Sequence, residues 1–309
     1  MVSFRFHLVS LVAVFIALGI GIGMGATVID KATVDLLHRQ LENVRNEVTA
    51  SNQRSDALQR QLDRASAYEN RADDYVLAGK LTNVRILVVG VRGIDEGPVD
   101  SLRDSLHSSG ADVSGVVWVT SKVRLDDARA VARLQADLAA ATTDPVQLRQ
   151  LLVAKLNALL AGSVSPSTVK PLFDDGFLDW EGDAAGSDWT DVAFDGSRVV
   201  AVSGYNASVP NDQIAIPLVR LLAAQPARRV IAVESGRDPD QRTSGERAVF
   251  LGPLRTDATL SGRISTVDDL ELPAGRVAAV LSLVQLSSGK TGDYGVGSSV
   301  SGILPKLAG

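Results

Sequence analysis

The chain has 309 residues and a formal net charge of −5, and its composition excludes several classes of function. The length suffices for one large domain, or two smaller ones, with accessory segments. No basic patch interleaved with aromatic residues is present, so nucleic acid is not an expected partner. The chain contains no cysteine, which excludes disulfides, thiolate catalysis and cysteine-based metal sites.

The first apolar run, Leu8–Ile29, contains no charged side chain and is long enough to cross the core of a bilayer. Arg5 precedes the run, whereas Asp30 and Lys31 nearly cancel each other behind it. The positive-inside rule therefore favours a cytoplasmic N-terminus and an exported C-terminal part. A cleaved signal peptide is the alternative, with Gly23 and Gly25 as small residues before Ala26. Against it, the run is longer than the apolar h-region of a typical signal peptide, and the positive charge before it is small.

Four glycines are spaced two residues apart near the end of this run: Gly19, Gly21, Gly23 and Gly25. They form two pairs with three residues between the partners, a spacing that lets two membrane helices approach closely. Glycine is also common in membrane helices in general. A helix-dimer face and an ordinary membrane helix therefore both remain open.

A seven-residue apolar repeat follows the membrane run and extends over residues 34–76. Its a and d positions include Leu37, Leu41, Val44, Val48, Leu58 and Leu62. The repeat predicts a left-handed coiled coil, and valine at a with leucine at d favours a parallel dimer. The alternative is a single helix that lies on its own globular domain. We favour the dimer because an N-terminal anchor would hold two such helices parallel.

Residues 82–290 alternate short apolar segments with amphipathic ones, which predicts a doubly wound, mainly parallel α/β domain. The predicted strands are Val84–Val91, Val113–Val119, Arg198–Ser203, Val230–Glu234 and Ile264–Val267. The predicted helices run from Pro98 to Gly110 and over Asp126–Ala141, Pro145–Leu160, Ser165–Asp175, Asp212–Ala224 and Pro273–Ser288.

The remaining segments complete the predicted organisation of the chain. Gly182–Asp191 is small, acidic and glycine-rich, so it is predicted as a loop. Residues 291–309 are predicted as a flexible tail, although Tyr294 could dock on the domain. The predicted divisions are a cytoplasmic tip and transmembrane anchor (1–30), a stalk (31–78), the α/β domain (82–290) and the tail (291–309).

The sequence offers few groups for catalysis or metal binding. Of its three histidines, only His107 falls in the predicted α/β domain. The G-x-S-x-G motif of serine hydrolases is absent. Gly90, Gly93 and Gly97 follow the first predicted strand without the spacing of a phosphate-binding loop. We therefore predict a non-catalytic protein with no cofactor and no metal site.

Two polar segments are candidate sites for a polar ligand or a partner. Arg237, Asp238 and Asp240 follow a predicted strand, at the end where open α/β sheets bind ligands. Asp268 and Asp269 lie between a strand and a helix, where carboxylates can bind a hard cation or shift each other's pKa. We favour a solvated turn for the first segment, and helix capping or solvation for the second.

Several local strings resemble a known family. They are residues 2–25, the stalk, Ile86–Val89, Ile264–Asp269, Gly275–Leu283 and Gly292–Gly295. These strings resemble the MctB family of actinobacterial envelope proteins, over essentially the whole chain. The resemblance implies copper transport and a place in the outer membrane. It also implies a role as the membrane-anchored partner of a cytoplasmic protein in cell separation and cell-wall hydrolysis.

Three hypotheses of function follow. The order of anchor, heptads and α/β domain favours a single-pass cell-membrane protein that forms a homodimer and binds an envelope or membrane protein as a scaffold. The alternative, copper transport in the outer membrane, depends on the resemblance alone. An enzyme acting on envelope material is the least favoured.

Overall fold

The structure is a computed structural model that describes residues 4–27, 31–183, 188–225, 229–236, 249–297 and 299–306. The chain divides into two compact units, Met1–Ala65 and Ser66–Gly309.

The N-terminal unit is helical. Helix α1 (Phe4–Thr27) contains a mainly apolar segment without Asp, Glu, Lys or Arg, Phe6–Gly25. By length and composition it is the one described helix able to cross a membrane. Helix α2 (Lys31–Leu77) is 47 residues long. It is continuous because no glycine or proline interrupts the sequence from residue 31 to residue 77.

The C-terminal unit is built on a seven-stranded sheet with the order β3-β2-β1-β4-β5-β6-β7. The strands are β1 (Arg85–Val91), β2 (Asp112–Val119), β3 (Leu178–Gly182), β4 (Arg198–Gly204), β5 (Val230–Ser235), β6 (Ser265–Val267) and β7 (Asp293–Tyr294). All neighbouring strands are parallel except β3, which pairs antiparallel with β2. The predicted mainly parallel α/β fold is confirmed.

Helices cover both faces of this sheet. They are α3 (Gly97–Ser108), α4 (Ala128–Asp137), α5 (Pro145–Leu160), α6 (Pro166–Asp174), α7 (Ala215–Ala223), α8 (Leu251–Arg255) and α9 (Pro273–Leu286). Leu87 and Val89 of β1 belong to the apolar cluster that contains α4 to α8. Ile86 and Val88 belong to the cluster that contains α3 and α9. Alternate side chains of one strand are thus buried on opposite faces.

Strand β3 was not predicted. It ends at Gly182, the first residue of the predicted loop, and a 3₁₀ turn (Trp189–Asp191) ends that loop. The sequence of β3 is LDWEG. Leu178 is buried, and the other four residues are half-buried or exposed. Such a short, partly acidic strand lacks the apolar pattern of the buried strands. Its pairing with β2 at the sheet edge depends on tertiary contacts.

Two predicted helices are shorter in the structure because side chains cap or displace their first turns. Helix α4 begins only after Asp127, whose Oδ1 accepts hydrogen bonds from the N–H groups of Arg129 and Ala130, both at 2.8 Å. Helix α7 begins at Ala215 rather than Asp212. The preceding Asn211 is held by Gly204, whose carbonyl oxygen accepts a hydrogen bond from Asn211 Nδ2 at 3.1 Å.

Tyr294 of the predicted tail docks on the α/β unit, as the sequence allowed, whereas the flexibility of residues 291–309 stays a prediction. Tyr294 lies in β7, is 7% exposed, and donates a hydrogen bond from its hydroxyl to Gln285 Oε1 at 2.7 Å. Gln285 Nε2 in turn donates to the carbonyl oxygen of Lys306 at 2.8 Å. Glycine and serine are frequent in this part of the chain, so composition alone does not indicate the contact. A single buried aromatic side chain is enough to hold a short segment against the domain.

We expect Gly204→Ala to lower the free energy of unfolding by about 1–3 kcal/mol. A Cβ at Gly204 would overlap the carbonyl oxygen of Ser235 on the paired strand β5. Gly97→Ala is the matched control, because its Cβ would meet only Asp95 Oδ1 at 3.4 Å. Urea unfolding of the full chain in detergent, followed by tryptophan fluorescence, measures the difference. Equal stability of the two variants would contradict the tight approach of β4 and β5.

Candidate functional site

The candidate site lies at the carboxyl edge of the sheet. Because the central strands are parallel, the loops that follow them meet at this edge, which is where open α/β sheets bind ligands. Asp268 and Asp269 follow β6, and Glu234 stands near the end of β5. All three carboxylates are buried, with exposed fractions of 2%, 4% and 3% in that order.

Arg255 forms an ion pair with one carboxylate of this cluster. Its Nη1 lies 3.0 Å from Asp268 Oδ2, and its side chain is 6% exposed. The same guanidinium donates from Nε to Thr266 Oγ1 at 2.7 Å and from Nη2 to the carbonyl oxygen of Tyr294 at 3.1 Å. One arginine at the end of α8 therefore ties β6 to β7.

Asp268 and Asp269 hold the backbone that follows β7. The N–H of Val296 donates to Asp268 Oδ1 at 2.9 Å and to Asp269 Oδ2 at 3.1 Å. Gly297 donates to Asp268 Oδ1 at 3.3 Å. Burial alone would raise the pKa of Asp268, but hydrogen bonding with Asp269 and the charge of Arg255 hold this pKa below its ordinary value.

The expectation that these two aspartates cap a helix or face water is wrong. They are buried, and the first residue before α9 is Leu272, with no side-chain cap. Asp269 has a φ of 58°, and its carbonyl oxygen packs against Gly275, where a Cβ would overlap it. The two carboxylates accept hydrogen bonds from the N–H groups of Val296 and Gly297 instead.

Glu234 is a functional candidate that the sequence prediction missed. Its carboxylate accepts hydrogen bonds from the N–H groups of Val249, Phe250 and Leu251 at 3.0, 3.2 and 2.9 Å. Burial raises the pKa of Glu234 to about 7, although these donors and Arg255 oppose the rise. The sequence feature that could have identified Glu234 is its position as the single acidic residue within the apolar strand sequence VIAVES.

The structure places the other predicted site residues separately. The loop residues Arg237, Asp238 and Asp240 lie outside the described residues. The residues of the N-terminal unit are in helices: Gly19, Gly21, Gly23 and Gly25 in α1, and Leu37, Leu41, Val44, Val48, Leu58 and Leu62 in α2. The α2 residues other than Leu62, whose side-chain surroundings are not described, are 53–58% exposed. Their role at a dimer interface stays a prediction.

A second polar network joins β2, β3 and α3. Arg103 contacts Glu181 Oε1 at 2.5 Å and Asp183 Oδ1 at 3.0 Å. Trp118 Nε1 donates to Glu181 Oε2 at 3.0 Å, and the Arg92 guanidinium lies 4.6 Å from the centre of the Trp118 ring. Burial opposes ionisation of Glu181, but Trp118 and Arg103 lower its pKa. Sequence reasoning missed this network because it missed β3.

His107 belongs to the same network and was the one histidine expected in the domain. Its Nε2 contacts Asp183 Oδ2 at the exposed side of α3. Among the described residues, no three or more His, Cys, Asp or Glu side chains form a group that could hold a metal ion.

We expect the stability of the protein to fall as pH rises from about 4.5 to about 7, and Glu234→Gln to flatten this slope by up to about 3 kcal/mol. The pKa of Glu234 is raised from 4.5 to about 7 on folding. The folded state therefore binds more protons than the unfolded state in this range, and that stabilising term is lost as Glu234 ionises. Urea unfolding of the full chain at several pH values measures it.

Glu271→Gln is the control for this titration, because Glu271 lies at the same edge and, among the described residues, its carboxylate accepts a long hydrogen bond of 3.5 Å from the N–H of Gly236. It should keep the slope of the parent protein. A slope that persists unchanged in Glu234→Gln would contradict the assignment to Glu234.

Comparison with known proteins identifies the family. The family described as "Copper transport outer membrane protein, MctB" matches residues 1–305. Proteins named "Copper transporter MctB" from Mycobacterium tuberculosis and Mycobacterium bovis are each 22% identical over 318 residues, covering 96% of this chain and 97% of the relative. The Mycobacterium leprae protein of the same name is 24% identical, covering 98% and 99%. The chain therefore belongs to the MctB family of copper transport outer membrane proteins.

Proposed function

We propose that this protein is a non-catalytic, membrane-anchored scaffold of the cell envelope, which forms a homodimer through α2 and binds an envelope or membrane protein with its α/β unit. The observation that carries the proposal is the row of exposed apolar side chains along α2. Leu37, Leu41 and Val44 are 57–58% exposed, and Val48 and Leu58 are 53–55% exposed.

Exposing this row of apolar side chains to water is unfavourable in free energy for a single helix. Burying a leucine or valine side chain contributes about 1.5–3 kcal/mol, so several heptads together favour association strongly. The row has the spacing of a and d positions, which two copies of the same helix can interlock. A second copy of the chain is therefore the partner that best complements it.

The apolar helix α1 supports a parallel arrangement of the two copies. With Phe6–Gly25 in a membrane, both chains would enter α2 from the same side. Arg5 in front of the span, and no net charge behind it, favour a cytoplasmic N-terminus and an exported α/β unit. We place the protein in the cell membrane; the family description gives the outer membrane as the alternative.

The hydrogen bonds that the buried carboxylates make with the backbone support a non-catalytic α/β unit. Glu234 holds the backbone at the start of α8, and Asp268 and Asp269 hold the backbone after β7. Carboxylates that are committed to buried backbone donors stabilise the fold, and their release for substrate binding would leave those donors unpaired.

A cysteine-free chain permits a direct test of the dimer. We expect Leu37→Cys and Leu58→Cys, each at a d position, to form intermolecular disulfides with the same residue of a second copy in native membranes. Facing d positions in a parallel coiled coil come within the roughly 7 Å between Cα atoms that a disulfide requires. Oxidation followed by non-reducing electrophoresis measures the covalent dimer.

Leu36→Cys is the matched control, because Leu36 is also 53% exposed on α2 but stands at a c position. It should cross-link at least about tenfold more slowly, since c positions point away from the partner helix. Equal cross-linking at Leu36 and Leu37 would contradict the coiled coil. Cross-linking at Leu37 but not at Leu58 would contradict a parallel dimer in register.

Copper transport is the second candidate, favoured by the family match and by the printed names of the mycobacterial relatives. Here copper is the cargo. If the chain itself carries copper, vesicles reconstituted with the full protein should take up copper faster than protein-free vesicles, and the rate should rise with the protein-to-lipid ratio. The scaffold proposal expects equal rates. A copper-sensitive dye inside the vesicles distinguishes the two results.

A further inference from the structure

The amino edge of the sheet, opposite the candidate site, carries a concentration of arginines. Arg198 is the first residue of β4, Arg229 immediately precedes β5, and Arg263 stands two residues before β6. Because these three strands are adjacent and parallel, their first residues lie at the same edge.

An open cleft of about 390 Å³ lies at this edge, between the ends of α7 and α9. Arg229 and Arg263 line it, with Gln225 and Thr291 as further polar groups. No aspartate or glutamate is among the described residues that form its wall. Such a volume is in the usual range for a small-molecule site.

Two of the arginines are held in place by the last turn of α9. Arg198 donates from Nη1 to the carbonyl oxygen of Leu283 and from Nη2 to Ser287 Oγ at 2.8 Å. Arg229 donates from Nη1 to the carbonyl oxygen of Leu286 at 2.5 Å. These contacts fix the guanidinium groups before any ligand arrives, which reduces the entropy cost of binding.

Carboxylates do not balance these charges among the described residues. Arg92, Arg103 and Arg255 are each paired with aspartate or glutamate. In contrast, the described contacts of Arg198 and Arg229 are with carbonyl and hydroxyl oxygens. Burial and then the neighbouring charge of Arg229 lower the pKa of Arg198, so the two cations are close enough to repel.

A lysine beside the cleft adds a further cation. Lys290 stands between the lining residues Gly289 and Thr291. Arg263 makes no side-chain hydrogen bond or ion pair with another described residue. Its guanidinium therefore has no structural task within the described part of the fold.

We propose that this cleft binds a phosphate group, with Arg229 and Arg263 as its main ligands. A guanidinium presents paired N–H donors that match the oxygens of a phosphate, and the bonds are strengthened by the opposite charges. A free phosphate and the headgroup of an anionic phospholipid share this chemistry. The proposal goes beyond the proposed scaffold function and does not depend on it.

Calorimetric titration of the full chain in an uncharged detergent tests the proposal. One arm uses inorganic phosphate and the other uses glycerophosphoglycerol, the soluble headgroup of an anionic phospholipid. We expect saturable binding of at least one probe, and the tighter probe identifies the source. Arg263→Gln should weaken binding by about tenfold or more, because one charge-assisted pair is lost.

Arg129→Gln is the matched control, because Arg129 is exposed near the start of α4, in a different element from those that line the cleft. It should bind both probes like the parent protein. Arg263 is exposed and makes no side-chain hydrogen bond or ion pair with another described residue, so its variant should keep the parent melting temperature. Saturable binding that Arg263→Gln weakens and Arg129→Gln leaves unchanged supports the site. The absence of saturable binding for both probes, or equal weakening by both variants, overturns it.

Discussion

The burial of the central parallel strands on both faces is the constraint on which the rest of the C-terminal unit depends. Val88 and Val89 of β1, adjacent in sequence, belong to different apolar clusters, so neither face of the sheet accepts a charge at little cost. The charged side chains that the sheet itself contributes to these networks therefore lie near strand ends or in the outer strand β3. Glu234 and Arg198 are near strand ends, and Glu181 is in β3.

The two ends of the sheet differ in charge for a physical reason. In a parallel α/β unit the helices run opposite to the strands, so helix N-termini lie at the carboxyl edge and helix C-termini at the amino edge. Acidic side chains are stabilised near the former, and basic ones near the latter. Glu234 accepts from the N–H groups around the start of α8, whereas Arg198 donates to carbonyl oxygens in the last turn of α9. The helix dipoles therefore favour acidic groups at the carboxyl edge, where backbone N–H groups pair with them. At the amino edge they favour basic groups, and this edge is cationic.

The N-terminal unit depends on a different requirement. Its described apolar side chains, those of residues 6–25 in α1 and of the α2 heptads from Val34 to Leu58, are exposed in the single chain. A membrane satisfies the first set, and a second helix would satisfy the second. Family membership links this architecture to proteins named for copper transport, whereas Asp268 and Asp269 bind backbone N–H groups and Asp268 pairs with Arg255.

The sequence by itself determined the membrane-length apolar run, the mainly parallel α/β class and most strands, because uncharged length and continuous β-branched runs are local signals. Helix α5 has the predicted bounds, Pro145–Leu160, since Asp144 and Pro145 mark its start locally. Only the tertiary structure decided the antiparallel edge strand β3, the docking of Tyr294 and the roles of Glu234, Asp268 and Asp269. Each of these depends on partners distant in sequence, such as Val249 for Glu234 and Val296 for Asp268. No local pattern encodes which distant backbone donor a buried carboxylate will meet.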